Sequence, residues 1–432
     1  MAERIQAIRG MNDDLPDRSH LLRYVENTFI QCVSLYAYHE IRFPLLESTQ
    51  LFKRTIGEVT DIVEKEMYTF CDLNGDSITL RPEGTAGCVR ACLEHGLLHN
   101  QQQKLWYLGP MFRHEKPQKG RYRQFIQLGV EAFGMAGVGI ELELIAMCRR
   151  FFEELGIFGA LQLQINTIGE RHERQAYREA LVEYFKPHFD VLDEDCKRRL
   201  YKNPLRILDS KNKSLHALIA GAPKLIDSVG ADSRAHFSRL CEGLDALGIS
   251  YQINPLLVRG LDYYGQTVFE WVTDQLGSQA SVCAGGRFDT LIEQLGGHPT
   301  PAIGFAMGLE RLLLLMDACL VKTPTALTSS VYMIAVGDNA LQRALVLAEQ
   351  VRTSVSHCVI ELPTSGGSFK SQFKRANKSG ARLALILGED ELHQGTIGVK
   401  DLRQSDEQLS LPQDELTSYI ETYFARNLNN LE

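Results

Sequence analysis

The chain has 432 residues, 44% of them hydrophobic and 23% charged, and a formal net charge of −8. This is the composition of an ordinary globular protein, and the length predicts two or three domains at roughly 150 residues each. The negative balance argues against a protein that coats nucleic acid through bulk positive charge, although it is compatible with a local basic surface. The N-terminus lacks the apolar stretch of a secretory signal. The longest apolar run, Leu312–Met316, is far too short to span a bilayer.

The ten cysteines show no CxxC spacing. Cys88 and Cys92 are four residues apart, but no neighbouring His or Cys completes a zinc site. We interpret all ten as reduced thiols, which are typical of a reducing cytosol. The sequence therefore predicts a cytoplasmic protein without a membrane segment.

The predicted elements begin with an amphipathic helix at 19–36, capped by Asp17 or Ser19, in which apolar residues recur at helical spacing. IRFPLLE at 41–47 predicts a strand that Pro44 interrupts, since proline cannot donate to a ladder. Two further strands flank the charged segment RHEKPQKGRYR and predict a long hairpin; they lie at 105–113 and 123–133.

The next predicted elements are a helix, a strand, a charged helical insertion, a strand, and a turn or short strand; they lie at 140–155, 161–166, about 170–250, 266–272 and 304–308. The last of them leads into a helix with the sequence LERLLLLMDACL. A linker rich in Thr, Ser and Pro follows at 321–330. Beyond it the pattern βαβαβ predicts a separate small α/β domain.

The strand at 123–133 has two different faces, because side chains alternate along a strand. Its two sets are Ile126, Leu128, Val130 and Ala132, which are apolar, and Gln127, Gly129 and Glu131, which include an amide and a carboxylate. The polar face indicates either a ligand cavity or a solvated side of an antiparallel sheet. This strand alone favours neither interpretation.

The hairpin concentrates charge. Arg113 and Glu115 point to the same side, and Arg121 and Arg123 return on the other arm. Guanidinium groups could fork onto phosphates here, or the segment could be an ordinary charged hairpin tip. Charge by itself does not separate the two.

Four further segments carry suggestive chemistry: RPEGT at 81–85, LVRGLDYY at 257–264, AGGRFDTL at 284–291 and GFAMGLERL at 304–312. Each has a plain structural alternative, such as a simple Gly-Gly-Arg turn or core tyrosines with satisfied hydroxyls. Neither a GxxxxGK[ST] loop nor a GxGxxG turn occurs. An ATP site would therefore need arginines on an antiparallel sheet rather than a helix N-terminus.

Taken together, these segments resemble the histidyl-tRNA synthetases, a family of class II aminoacyl-tRNA synthetases, over essentially the whole chain. IRFPLLE resembles class motif 1, FRHEKPQKGRYRQF motif 2, and GFAMGLERL motif 3, while LVRGLDYY and AGGRFDTL resemble the two histidine-specific motifs. The resemblance implies an α+β fold. Its catalytic domain, 1–325, would have a mostly antiparallel sheet flanked by helices and the insertion at about 170–250. An α/β anticodon-binding domain would occupy 326–432.

The resemblance also implies an activity, that of a histidine–tRNA ligase. The enzyme would convert L-histidine and ATP to histidyl-adenylate and pyrophosphate, and then transfer histidine to the 3′ end of tRNA(His). Mg²⁺ would bridge the leaving phosphates, and no residue of the chain is assigned as a metal ligand. The class is usually a homodimer formed through motif 1.

Residue by residue, the resemblance implies a histidine pocket in which Glu131 and Tyr264 serve the two imidazole nitrogens. The histidine-binding positions are Glu83, Gly84, Thr85, Arg113, Gln127, Glu131, Arg259, Tyr263 and Tyr264. The ATP-binding positions are Arg113, Glu115, Arg121, Phe125 and Arg311. Arg259 and Arg113 would be catalytic. Contacts with the tRNA acceptor end would come from Arg9, Gln118 and Arg123.

A basic stripe independently supports a tRNA-binding C-terminal domain. Residues 362–388 contain five Lys or Arg and no Asp or Glu. Lys370, Lys374 and Lys378 are four apart and so share one helix face. A solvated helix face usually mixes signs, so the stripe favours phosphate contacts over simple exposure.

Two positions depart from the family pattern: Phe288 replaces a usual tyrosine, and Thr290 replaces a common glycine. Three alternatives remain. A regulatory subunit of ATP phosphoribosyltransferase shares the catalytic fold but lacks the anticodon domain. A stress-sensing domain would be joined to a kinase, whose HRD and DFG motifs do not occur here. A class II synthetase for another amino acid would not carry LVRGLDYY.

Overall fold

The computed structural model describes residues 4–57, 60, 62–208, 210, 212–259, 261, 263–277, 280–323, 330–355, 358–362, 364, 366–404 and 407–428. The chain divides into two compact units, Met1–Thr323 and Pro324–Glu432. Most of the predicted linker, 324–329, lies outside the described residues, as does the predicted boundary at 325/326.

The first unit is organised around one large sheet. Its described strands are β1 (His39–Glu40), β2 (Leu46–Ser48), β3 (Tyr68–Cys71), β4 (Ser77–Leu80), β5 (Gln103–Phe112), β6 (Gln124–Phe133), β7 (Gln162–Thr167), β8 (Tyr251–Ile253), β9 (Gly265–Val272), β10 (Ser281–Arg287) and β11 (Ala302–Gly308). In the large sheet the order is β1-β5-β6-β11-β10-β9-β7-β8, while β2-β4-β3 form a small sheet. The large sheet is antiparallel except where β1 pairs with β5 and β7 with β8.

The predicted hairpin forms the centre of this sheet. Its arms pair in antiparallel register, with Gly109 opposite Gln127 and Leu105 opposite Glu131. The predicted alternation along β6 is confirmed, because Leu128, Val130 and Ala132 lie in the main core beneath the sheet. On the other face, Gln127 is only 8% exposed and Glu131 only 1%. This excludes the interpretation of a solvated sheet face.

Helices cover the sheet and form the insertion. In chain order they are α1 (Pro16–Leu35), α2 (Thr49–Ile56), α3 (Thr85–Glu94), α4 (Val138–Glu154), α5 (Arg171–Phe185), α6 (Glu194–Lys202), α7 (His216–Ala220), α8 (Leu225–Ser228), α9 (Ala231–Ala246), α10 (Thr290–Gln294) and α11 (Leu309–Ala318). The helices α5 to α9 confirm the predicted insertion. Across the described part of the chain, no helix combines the length and apolar character that crossing a membrane requires.

Three local expectations were wrong. The first helix begins at Pro16, with no side-chain cap, because proline suits the first helical position, where its missing N–H costs nothing. The predicted strand at 41–47 is reduced to its end, since β2 starts only at Leu46. The Arg81 guanidinium donates to the carbonyl of Phe43 at 2.9 Å and to that of Pro44 at 3.4 Å, so a side chain occupies acceptors that a ladder would use.

The third correction concerns the glycine pair of AGGRFDTL, which lies inside strand β10 rather than in a turn. A Cβ on Gly285 would overlap the carbonyl oxygen of Gly304 and lie 2.7 Å from the Phe269 ring. Glycine is therefore required for the close approach of β10 to its neighbour β11. The arginine that follows, Arg287, is buried and donates to the Glu141 carboxylate at 3.0 Å.

The second unit has the predicted βαβαβ order, followed by a further hairpin and helix. Its elements are β12 (Val331–Ala335), α12 (Asp338–Ser354), β13 (Ile360–Glu361), α13 (Phe369–Lys378), β14 (Leu383–Leu387), α14 (Glu389–Gln394), β15 (Thr396–Asp401), β16 (Leu409–Pro412) and α15 (Leu416–Leu428). The sheet order is β13-β12-β14-β15-β16. Its first three strands are parallel, and the last two pairings are antiparallel.

Helix α13 shows how this unit presents its basic stripe. Gln372 is fully buried and hydrogen-bonds both the N–H and the carbonyl of Ala335, which fixes the inner face of the helix on β12. Lys370, Lys374 and Lys378 are exposed. The three lysines therefore share an outer face, as the spacing predicts.

Candidate active site

A cavity of about 670 Å³ lies on the polar face of the large sheet. Its walls come from strand β6, the hairpin, the start of α3, residues 256–259, 261, 263 and 264, strand β9 and the β11–α11 junction. Of the side chains predicted to bind histidine or ATP, eleven line it: Glu83, Thr85, Arg113, Glu115, Arg121, Phe125, Gln127, Arg259, Tyr263, Tyr264 and Arg311.

One wall is the turn into α3. The Glu83 carboxylate accepts the N–H groups of Thr85 at 2.8 Å and Ala86 at 2.9 Å, so it satisfies donors that a helix start leaves free. Tyr263 donates its hydroxyl to the same carboxylate at 3.4 Å. Burial raises the pKa of Glu83, and the two backbone hydrogen bonds oppose that shift. The Gly84 N–H donates to the Gln127 side chain at 3.1 Å, which ties this turn to β6.

Glu131 lies behind this wall rather than on the cavity surface. Its Oε1 accepts hydrogen bonds from Thr85 at 2.6 Å and from Tyr107 at 3.3 Å. Its Oε2 is buried and has no hydrogen-bond partner within the described structure. Burial raises the pKa of Glu131 well above its ordinary value. An unsatisfied buried oxygen is costly, so it would gain from a hydrogen-bond donor on a ligand.

The hairpin supplies positive charge to the opposite wall. Arg121 forms an ion pair with Glu115, and Arg113 lies 4.0 Å from the same carboxylate. Arg113 donates to the Pro82 carbonyl at 2.8 Å, and its guanidinium lies 5.4 Å from the Phe125 ring centroid. These contacts hold the Arg113 fork in a defined orientation beside an aromatic surface.

Arg259 faces a residue that the sequence analysis missed. It forms an ion pair with Glu270 of β9, and its guanidinium lies 5.4 Å from the Tyr264 ring centroid. Glu270 also lines the cavity. Its signal in the sequence was a carboxylate in QTVFEWV, alternating with the apolar Phe269 and Trp271, which indicates a polar position on the opposite sheet face.

The β11–α11 junction adds Glu310 and Arg311. Burial lowers the pKa of Arg311, and the neighbouring charge of Arg121 lowers it further. Phosphate oxygens beside these guanidinium groups would favour the charged form of Arg311. Glu310 accepts the N–H of Ile126 at 2.8 Å, and burial raises its pKa to about 7.

A Glu310→Gln variant should change how stability depends on pH. A carboxyl whose folded pKa is raised from 4.5 to about 7 is costly to ionise in the folded protein, by about 3 kcal/mol at 1.4 kcal/mol per tenfold change in proton affinity. The cost is absent below pH 4.5 and complete above pH 7. The free energy of unfolding of the wild type should therefore fall across this window relative to Glu310→Gln.

Denaturant titrations at several pH values would measure this difference. Glu293→Gln on α10 provides a matched control, because it removes one carboxylate from an exposed position rather than from a buried one. A constant offset between wild type and Glu310→Gln across the pH range would contradict the assignment.

Comparison with known proteins agrees with this geometry. Residues 10–312 match the family model described as histidyl-tRNA synthetase, and residues 330–423 match that of an anticodon binding domain. The histidine–tRNA ligase of Legionella pneumophila subsp. pneumophila is 64% identical over 98% of this chain and 100% of its own length. The chain belongs to the histidyl-tRNA synthetase family.

Two solved structures of histidyl-tRNA synthetases are also similar. Apo S. aureus histidyl-tRNA synthetase has a TM-score of 0.81 and 36% identity, covering 96% of this chain and 99% of that one. The enzyme from Nostoc has a TM-score of 0.67 and 19% identity, with coverage of 98% and 100%, and supports the fold alone. The predicted family and the α+β fold class are confirmed, as is the activity of an ATP-dependent histidine–tRNA ligase.

The remaining predicted residues lie outside the cavity lining. Gly84 is the residue that precedes α3. Gln118 and Arg123 belong to the hairpin, and the main-chain N–H of Arg123 donates to the Gly10 carbonyl at 2.7 Å. Arg9 precedes that glycine. Lys370, Lys374 and Lys378 lie in the second unit. Asp262 of LVRGLDYY is outside the described residues.

Of the two departures from the family pattern, Phe288 packs against a residue that lines the cavity. Phe288 is buried, and its ring packs 5.8 Å from the Tyr263 ring centroid, so an aromatic residue without a hydroxyl fits this position. Thr290 starts α10. Gln164 and Asn254 also line the cavity. The sequence did not single out these two residues, because polar residues in short strands and loops show the same pattern whether they lie in a cavity or on the surface.

Proposed function

We propose that the large cavity is where histidine and ATP react to form histidyl-adenylate. The observation that carries this proposal is that Gln127, Arg113 and Arg259, from three separate segments of the chain, line one cavity. The regulatory alternative is disfavoured, because the 64% identical relative is a histidine–tRNA ligase and an anticodon-binding domain is present.

The histidine would bind at the α3 wall. We assign the α-ammonium group to Glu83, Thr85 and Gln127, which offer acceptor oxygens at the cavity surface. We assign the imidazole to Glu131 and Tyr264. The unpartnered Oε2 of Glu131 supports this assignment, because a site that must hydrogen-bond its ligand rejects isosteres that leave polar groups unpaired, by about 10⁴–10⁵-fold.

The ATP would bind along the arginines. Arg113 and Arg311 would contact the α- and γ-phosphates, with Arg121 and Glu115 beside the distal phosphates and the base. Phe125 would stack on the adenine, adjoining the guanidinium that it already contacts. Guanidinium forks suit phosphate oxygens geometrically, and the cavity lining includes three such groups, those of Arg113, Arg121 and Arg311.

Arg259 would stabilise charge on the α-phosphate as the histidine carboxylate attacks in line and pyrophosphate leaves. Its fixed position between Glu270 and the Tyr264 ring supports such preorganisation, which carries most of the catalysis in transfers of this kind. In the second step, the terminal ribose hydroxyl of the tRNA would attack the activated carbonyl. We assign no side chain as a general base.

We propose that Mg²⁺ enters with ATP. In the described residues, no group of three or more His, Cys, Asp or Glu is arranged to hold a metal. The cavity carboxylates Glu115 and Glu270 are each paired with an arginine. This donor set fits an ion that keeps phosphate and water ligands, as Mg²⁺ often does, and the ion would neutralise charge on the leaving pyrophosphate.

The proposed reaction is tested by ATP–pyrophosphate exchange with each amino acid supplied separately. Exchange should depend on histidine and on no other amino acid. Exchange driven by a different amino acid would reject the pocket assignment, and no exchange with any of them would reject the proposed reaction at this cavity.

We assign tRNA contacts to Arg9, Gln118 and Arg123 near the acceptor end. Arg123 donates through Nε to the Glu115 carbonyl at 3.2 Å, while its main chain is bonded to Gly10. The N-terminal segment and the hairpin are thus joined next to the cavity. Because they are joined, the N-terminal segment and the hairpin can form a single surface for the acceptor end of the tRNA.

The basic stripe of α13 should affect charging but not activation. Replacing Lys370, Lys374 and Lys378 together by Gln removes three exposed positive charges. The KM for tRNA(His) should rise by about tenfold, and the slope of log affinity against log salt should fall by about 0.7–0.9 for each phosphate that the variant no longer neutralises. Histidine-dependent exchange should stay at the wild-type rate.

A control replaces the same number of exposed charges elsewhere on the second unit, at Arg352, Arg403 and Arg426, and should change the KM less. An unchanged KM and salt slope in the triple lysine variant would contradict the phosphate assignment of the stripe.

We also propose a cytosolic homodimer. The segment 41–47 exposes Leu45 at 42% and its neighbour Leu46 at 43%, which supports contact with a second copy at this motif. The ten cysteines are free of disulfides, as expected for a reducing compartment. Sedimentation of wild type and a Leu45→Glu/Leu46→Glu variant would test the interface.

A further inference from the structure

Tyr107 is a buried tyrosine of β5 whose hydroxyl contacts the carboxylate assigned to the imidazole. The hydroxyl donates to Oε1 of Glu131 at 3.3 Å. Tyr107 is only 2% exposed, and it is not among the residues that line the large cavity. It therefore lies one layer behind the surface that a ligand would touch.

The place of Tyr107 in the sheet follows from the pairing of β5 with β6. Tyr107 is directly opposite Gly129. Because side chains alternate along a strand, Gly129 lies on the same face of β6 as Glu131, two residues further on. Diagonal neighbours of this kind are within reach of an aromatic side chain, so the tyrosine can extend across the ladder to Glu131.

Two glycines leave the space that the tyrosine ring occupies. A Cβ on Gly84 or on Gly129 would overlap the ring of Tyr107, so a side chain at either position would displace the ring and its hydroxyl. Phe43 packs against the same ring edge-to-face, with 5.3 Å between the two ring centroids. This packing holds the hydroxyl of Tyr107 at a fixed place beside β6.

The Glu131 carboxylate receives both of its hydrogen bonds on one oxygen. The hydroxyls of Tyr107 and Thr85 donate to Oε1. The other oxygen, Oε2, lies next to Gly304 of β11 and has no hydrogen-bond partner within the described structure. A carboxylate that is held through one oxygen presents the other at a defined position.

Tyr107 also favours the ionised form of this carboxylate. Burial raises the pKa of Glu131 well above its ordinary value, and the hydrogen bonds from Thr85 and Tyr107 oppose that rise. An ionised carboxylate can accept on both oxygens, whereas a protonated one carries a hydrogen on one of them. The two donors therefore help to keep Oε2 available as an acceptor.

We propose that Tyr107 is a positioning residue for histidine selectivity, because its hydroxyl fixes the Glu131 carboxylate with Oε2 placed to accept the imidazole N–H. This inference rests on the proposed assignment of the imidazole to Glu131. Tyr107 acts on the ring of the amino acid and not on the reacting carboxylate or phosphate. It should therefore affect the binding of histidine and leave the chemical step unchanged.

Tyr107→Phe removes the hydroxyl and keeps the ring that the two glycines accommodate. The dissociation constant and the KM for histidine should rise by about tenfold, near the lower end for loss of a hydrogen bond to a charged group. The kcat of ATP–pyrophosphate exchange should stay at the wild-type value. Calorimetric titration with histidine and steady-state exchange kinetics on the full-length protein would measure both effects.

The matched control is Tyr38→Phe. Tyr38 is buried, and its hydroxyl donates to another carboxylate, that of Glu143, at 3.1 Å. Neither residue lines the large cavity. The control removes the same hydroxyl from the same kind of partner and should bind histidine like the wild type.

A histidine analogue separates positioning from a general disturbance of the pocket. The ring of β-(4-thiazolyl)alanine has no N–H donor, so its binding does not use a hydrogen bond to Glu131. Its inhibition constant against exchange should change by less than about twofold in Tyr107→Phe. The selectivity for histidine over the analogue should therefore narrow by about fivefold or more. Equal weakening of both ligands would overturn the proposal.

Glu131→Gln shows which hypothesis fails. If Glu131→Gln weakens histidine binding and Tyr107→Phe does not, the positioning role of Tyr107 is overturned and the assignment of the imidazole to Glu131 stands. If Glu131→Gln binds histidine like the wild type, the assignment and the positioning role are both overturned.

Discussion

Arg259→Ala should lower histidine-dependent ATP–pyrophosphate exchange by about 10²–10³-fold, the loss that follows removal of one preorganised donor from a developing negative charge. The side chain of Arg259 is held by Glu270 and lies against the Tyr264 ring. Its guanidinium therefore need not change position to contact the α-phosphate. Histidine should still bind, because Glu131 and Thr85 hydrogen-bond each other independently of this arginine.

Equilibrium binding of histidine and steady-state exchange, measured on the same preparation, would separate these effects. Arg259→Lys is the matched variant: it keeps the charge but loses the fork, and should recover only part of the rate. Normal exchange in Arg259→Ala would refute the role assigned to this residue.

Glu270→Gln tests whether the carboxylate positions Arg259. The amide keeps an acceptor oxygen for the guanidinium but removes the charge. Exchange should fall less than in Arg259→Ala, mainly through kcat, while the KM for histidine stays near the wild-type value. A rate loss equal to that of Arg259→Ala would point to a direct role in the reaction.

Gly304→Ala should destabilise the protein by about 4 kcal/mol, through overpacking together with displacement of a buried carboxyl from its hydrogen bonds. A Cβ on Gly304 would overlap Oε2 of Glu131 and lie 2.5 Å from the Val130 carbonyl oxygen. Strand β6 cannot move away from the new Cβ without breaking its pairing with β11, in which Gly304 is opposite Glu131.

Gly308→Ala is a control on the same strand. Its nearest neighbour to a new Cβ is the Cβ of Arg311, 4.0 Å away, and its backbone, at φ −90° and ψ 125°, suits any residue. The change in free energy of unfolding should stay within about 1 kcal/mol. Denaturant titrations of both variants measure the contrast, and equal stabilities would contradict the close contact between Gly304 and Oε2 of Glu131.

Several features of the site followed from local sequence. The alternation of Gln127 and Glu131 with apolar neighbours gives the polar face of β6, because side-chain direction on a strand has period two. The spacing of Lys370, Lys374 and Lys378 gives an exposed helix face in the same way, with the helical period. Both patterns depend only on nearby residues.

Local reasoning was wrong where a side chain or a neighbouring strand overrode a pattern. Arg81 occupies carbonyls near Pro44 and shortens the predicted strand. The pair Gly285 and Gly286 resembled a turn but lies in a strand that approaches β11 closely. In each case the deciding partner comes from a distant part of the chain.

By itself, the sequence determined the family, the order of the elements and most of the side chains that line the cavity, because motifs and periodicities are carried by neighbouring residues. Only the tertiary structure decided the partners, which are Glu270 for Arg259 and Thr85 for Glu131. The packing of separate segments brings these groups together, and no pattern of neighbouring residues predicts such a contact.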